Sequence, residues 1–82
     1  MNEISNTKNR LRRCIASVFN VPENILPDEP GVDNIDTWDS LAQLQVILAI
    51  ETEFGVRFPS YSLADLISLS AFSQALEKLS QS

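Results

Sequence analysis

From Ser40 to Phe54 the chain carries a helical pattern with a stop signal at each end. Asp39 or Ser40 suits the N-cap, because a short side-chain oxygen accepts from the exposed N–H groups of a first turn. Gly55 suits the C-cap, where a left-handed backbone is needed. Projected at about 100° per residue, the apolar side chains form two stripes. Val46, Ile47, Ile50 and Phe54 lie on one side, and Leu41, Leu44 and Leu48 on nearly the opposite side. A chain of 82 residues has room for one core. A helix with two apolar sides therefore lies at the centre of a bundle or shows one side to something else. The first stripe is expected to be core, and the second a partner surface that begins at Ser40.

The other segments supply the bundle. Residues 3–19 read as an amphipathic helix with Leu11, Cys14, Ile15, Val18 and Phe19 at three- and four-residue spacing. Lys8, Arg10, Arg12 and Arg13 flank that stripe as a solvated face, and Asn20 with Pro22 marks the end. Residues 20–37 form a long connection holding Pro22, Pro27, Pro30 and Gly31. Connections of that length are commonly functional, and Val21, Ile25, Leu26, Val32 and Ile35 are expected to pin this one to the core. After the extended Val56-Arg57-Phe58-Pro59, residues 61–67 are expected to make a short helix with Leu63, Leu66 and Ile67 inward. Ser70 is expected to cap a closing helix whose stripe is Phe72, Ala75, Leu76 and Leu79, with Leu69 stapling its start and Ser80-Gln81-Ser82 fraying. No segment alternates with period two. The expectation is one all-α domain over residues 1–82: a small four-helix bundle of three longer helices and a short third helix, with a long first loop.

Composition then removes most chemistry. There is no histidine, so imidazole bases and Ser-His or Cys-His pairs are excluded. One cysteine with carboxylates makes a poor zinc site, and two glycines cannot form a phosphate cradle. Asp28, Asp33, Asp36 and Asp39 lack the central glycine and final glutamate of a calcium loop. The chain is read as a non-enzyme without a metal site. No apolar run reaches the roughly 20 residues that span a bilayer, and Met1 to Asn6 carries no leader pattern. A cytoplasmic monomer, away from membranes, is expected. The net charge of −5 is unevenly spread. Residues 1–19 set four basic side chains against Glu3, residues 20–65 set nine acidic ones against Arg57, and residues 66–82 balance Glu77 with Lys78. Such an acidic middle repels nucleic acid and attracts basic protein surfaces.

Helix, long acidic loop, Asp39-Ser40-Leu41 opening a second helix, a short third helix and a closing helix together resemble an acyl carrier protein of the stand-alone type. The resemblance spans about Arg10 to Leu79. It is sharpest at Trp38-Asp39-Ser40-Leu41 and is supported by Ile50-Glu51-Thr52-Glu53-Phe54-Gly55-Val56. It implies that Ser40 carries a covalent 4'-phosphopantetheine arm, transferred from coenzyme A by a phosphopantetheinyl transferase using magnesium. The arm's thiol would hold acyl groups as thioesters for enzymes of fatty-acid, polyketide or related biosynthesis. Cys14 is not that thiol and is expected to pack in the core. The resemblance makes Asp39, Leu41, Leu44, Leu48 and Glu51, with Glu53 adding charge, the surface met by transfer and loading enzymes with basic faces. Trp38, Gln43 and Gln45 depart from the fatty-acid carriers; the two glutamines thin the acidic surface and point to a specialised pathway. Two other readings remain open: a peptidyl or D-alanyl carrier loaded by an adenylating enzyme, and a helical adaptor with no prosthetic group.

Overall fold

The structure, a computed structural model, describes residues 3–81, with side chains from 6 to 79. Helix α1 spans Glu3–Phe19, α2 spans Ser40–Phe54 and α3 spans Leu69–Gln81. A single 3-10 turn, Glu23–Ile25, lies in the first loop, and a 3-10 helix, Ser60–Asp65, joins α2 to α3. The architecture is the expected all-α bundle, α1 packing on both α2 and α3.

The expected core stripes meet at its centre. Leu11 and Ile15 of α1, Val46 and Ile50 of α2 and Phe72 of α3 are fully enclosed. Phe58, Leu66 and Leu69 are buried in the same core, and the rings of Phe58 and Phe72 sit 5.8 Å apart. Trp38, in the loop just before α2, is also buried and lies 5.4 Å from the Phe19 ring.

Helix ends follow the local chemistry. Asn20 adopts φ 57°, its N–H donates to the Ser17 carbonyl, and Val21 N–H donates to Ala16, a Schellman closure for α1. Gly55 closes α2 at φ 65°. The cap of α3 is Ser68 rather than Ser70: the helix begins at Leu69, and Ser68 Oγ accepts from Ala71 N–H at 3.2 Å. Ser70 N–H instead donates to the Glu29 carboxylate at 2.6 Å, an anion from the first loop at a helix N-terminus. Leu69 is thus the first residue of α3 and not a staple outside it. Helix α3 runs on to Gln81, while Ser82, and Met1 and Asn2 of the leader reading, lie outside the described residues.

The first loop is pinned to the core by Val21, Leu26 and Ile35, three of the five apolar residues expected to hold it, and by polar contacts in addition. Leu26 is buried, but Ile25 and Val32 face outward. The Arg12 guanidinium reaches from α1 to the carbonyls of Pro27 at 2.7 Å and Glu23 at 3.0 Å. It is a clamp, not part of a solvated face. Further on, Val32 N–H donates to Ile67 and Leu69 N–H to Pro30, bringing Gly31 against Ser68. A Cβ on Gly31 would lie 2.8 Å from the Ile67 carbonyl oxygen, which explains the glycine. Asn34 completes the turn by accepting from Gly31 N–H and donating to the Glu29 carbonyl.

The short third helix is 3-10, starts at Ser60 and ends two residues before the expected limit. Six residues after a proline gain too little from α-helical hydrogen bonds to nucleate, so i→i+3 bonds such as Ser62 N–H to Pro59 take over. Ile67 consequently falls beyond this helix and is exposed, not inward, whereas Leu66 is buried and Leu63 half-buried.

Candidate functional site

Asp39, not Ser40, is the N-cap of α2. Its Oδ1 accepts from Ala42 N–H at 2.9 Å and its carbonyl from Gln43 N–H at 2.8 Å. Ser40 becomes the first helical residue. It is exposed, and among the described residues its hydroxyl makes no hydrogen bond. The Ser40 and Leu41 N–H groups likewise have no partner among the described residues, as the geometry of a first turn requires. A phosphodiester at Ser40 would meet these two donors and the positive end of the helix dipole, an effect of about 0.3–1 kcal/mol. The donor set therefore fits an anionic group on this serine, although the Asp39 charge beside it is unfavourable. Asp39 is explained within the chain as the cap that sets Ser40 in place.

The second stripe of α2 is uncovered: Leu41, Leu44 and Leu48 are 65%, 55% and 61% exposed. This answers the question of the two apolar sides, since Val46, Ile47 and Ile50 are buried. Glu51, one turn beyond Leu48, is half-buried, and its Oε2 accepts from Phe58 N–H at 2.8 Å. Glu53 pairs with Arg10 at 2.9 Å; the same guanidinium donates to the Glu53 carbonyl and lies 4.1 Å from the centre of the Phe54 ring. Arg10 thus straps α1 to the end of α2 and offsets part of the Glu53 charge. Asp33, Asp36 and Asp39 are exposed and form no ion pair among the described residues, so open negative charge gathers on the loop before Ser40.

Two residues change meaning. Cys14 is half-buried and packs against the edge of the core rather than inside it, its Sγ 3.9 Å from the Ala49 carbonyl, in a groove bordered by Arg13, Ser17, Leu48 and Thr52. Burial, then the Glu53 charge, pushes its pKa up, against smaller opposing effects of Arg10 and Arg13. The thiolate fraction at neutral pH therefore falls below that of a free cysteine. Iodoacetamide at pH 7.5 is expected to alkylate Cys14 more slowly than a free thiol, read by intact mass; an equal rate would contradict it. Gln43 turns inward rather than joining the acidic surface. It is half-buried, accepts from Trp38 Nε1–H at 2.6 Å and donates to the Leu66 carbonyl at 2.7 Å. The signal was present: Gln43, Val46, Ile47 and Ile50 continue one stripe at three- and four-residue spacing.

A helical bundle that sets an exposed serine at the N-terminus of a helix, beside open N–H groups and an uncovered apolar stripe, suits a domain that bears a group for others to act on. A sequence model of the family described as phosphopantetheine attachment site matches residues 9–76, and the chain belongs to that family. Its members are carriers, not enzymes; they hold 4'-phosphopantetheine covalently on a serine and are modified by phosphopantetheinyl transferases. No curated protein and no solved structure gives a significant match. Among the described residues no helix is long and apolar enough to cross a membrane.

Proposed function

We propose that this domain is an acyl carrier whose arm is attached at Ser40, and that it presents acyl thioesters to enzymes of fatty-acid, polyketide or related biosynthesis. The observation that carries the reading is the exposed, unbonded Ser40 hydroxyl at the start of α2, held by the Asp39 cap. Attachment forms a bond from Ser40 Oγ to phosphorus as the pyrophosphate P–O bond of coenzyme A breaks. The hydroxyl proton passes to a base on the transferase, and the nucleotide bisphosphate leaves. Once attached, the arm supplies the thiol on which cargo is held. This chain's own residues present the serine and recruit the enzymes.

Recruitment is assigned to the Leu41-Leu44-Leu48 stripe, with Asp33, Asp36 and Asp39 attracting basic surfaces to the side where Ser40 lies. Glu51 keeps a lesser part, because its carboxylate already serves Phe58 N–H. Leu44→Asp is expected to raise the transferase's KM for this protein about tenfold, the loss of a central apolar contact. Its folding stability should stay within about 0.5 kcal/mol, as Leu44 is mostly exposed. An unchanged KM would remove the stripe from the docking surface.

The cargo is tested on protein isolated from its native host, by intact mass before and after hydroxylamine. The acyl reading predicts an arm bearing an acyl group that hydroxylamine releases. An aminoacyl group in its place would make this a peptidyl or D-alanyl carrier.

A further inference from the structure

We propose that Gln43 is a positioning residue for the modification of Ser40, acting through the bridge it forms between Trp38 and Leu66. The inference rests on Ser40 being the attachment point. Trp38 stands two residues before Ser40 and Gln43 three after it. Trp38 Nε1–H donates to Gln43 Oε1 at 2.6 Å, while Gln43 Nε2 donates to the carbonyl of Leu66 at 2.7 Å and, at 3.4 Å, to that of Leu63. One amide thus ties together the end of the first loop, the first turn of α2 and the 3-10 helix. Among the described residues it is the one side-chain hydrogen-bonding link from that turn to the 3-10 helix.

The Ser40 side chain has no hydrogen bond among the described residues, so its position is inherited from the backbone. The Asp39 cap fixes the hydroxyl relative to α2, and the Gln43 bridge fixes the first turn of α2 relative to the core. An apolar residue would continue the buried stripe equally well and would tolerate several arrangements. The amide is satisfied in one arrangement only, because each partner must sit at hydrogen-bonding distance and angle. Phosphoryl transfer to the hydroxyl demands such placement: a misplacement of about 1 Å can cost on the order of a hundredfold in rate.

The test is steady-state transfer from coenzyme A with magnesium and a phosphopantetheinyl transferase, comparing wild type with Gln43→Met, Gln43→Glu and Trp38→Phe. Gln43→Met keeps the volume and loses both bonds. Gln43→Glu keeps an acceptor for Trp38 and loses the donor to Leu66. Trp38→Phe keeps the Leu66 bond. The docking stripe is untouched, so kcat should fall on the order of tenfold in both Gln43 variants with KM unchanged, and by less in Trp38→Phe. A purely structural role gives the opposite split. A lower folded fraction removes competent substrate, which raises apparent KM and leaves kcat at saturation alone. Should Gln43→Met fail to fold, Gln43→Glu and Trp38→Phe decide on the same kcat criterion. Wild-type kcat in the folded Gln43 variants overturns the positioning role and leaves Ser40 standing. No arm on Ser40 of the wild type overturns the attachment reading itself.

Discussion

Ser40→Ala is expected to fold like the wild type and to take up no arm at all. The two halves of that result have separate causes. The helix does not use the Ser40 side chain, because Asp39 Oδ1 already satisfies Ala42 N–H and the hydroxyl has no partner among the described residues. Alanine is also at least as good a helix former at an exposed first-turn position, so the stability change should stay within about 0.5 kcal/mol. Attachment, in contrast, needs an oxygen nucleophile at that atom, and alanine has none. The Leu41-Leu44-Leu48 stripe remains, so the variant should still occupy the transferase and compete with wild type. Thermal melting, the mass after incubation and the competition assay check the three expectations. A variant that unfolds would show that Ser40 has a structural task which its exposure hides.

Phe72→Ala is expected to remove a large part of the folding free energy. Phe72 is fully enclosed, the largest such side chain, and it packs against the Phe58 ring. Truncating a buried phenylalanine costs about 3–5 kcal/mol, the lost transfer energy plus the cavity left behind. At about 0.05–0.15 kcal/mol per residue, a chain of 82 residues has roughly 4–12 kcal/mol in total. The variant's urea midpoint should therefore fall well below that of the wild type. Phe72→Leu, which keeps most of the volume, should remain folded with a loss of about 1–2 kcal/mol. A Phe72→Ala midpoint within error of wild type would mean that α3 contributes far less to the core than its burial implies.

Much of this fold could be read from spacing. The bounds of α1 and α2, the two stripes of α2 and the core side of α3 follow from apolar residues three and four apart. The end signals Asn20 and Gly55 act as left-handed caps, as expected. What the sequence hid were polar contacts between distant residues. Arg12 looked like a solvated charge because its partners are backbone carbonyls, which have no sequence signature. Glu29 looked like part of an acidic loop, though its carboxylate meets the start of α3, 41 residues away. Gln43 reads by residue type as a thinning of surface charge, whereas its place on the buried stripe of α2 turns it inward. Ile67 falls inward only if the short helix continues to it, and that helix ends at Asp65. At the site, the reverse held: the Asp-Ser-Leu triplet at a helix start was legible because capping chemistry is local. Which of Asp39 and Ser40 would cap was not, since both side chains can accept the same N–H.

The central claim is that one particular serine bears the arm. The most direct test loads the wild-type protein from coenzyme A, digests it with trypsin and localises the added mass by fragmentation. Cleavage after Arg13 and Arg57 places Ser17 and Ser40 in one peptide and the serines from Ser60 onward in others. The arm is predicted on Ser40 alone. An arm on Ser17, or on any of Ser60, Ser62, Ser68, Ser70 or Ser73, would contradict the account.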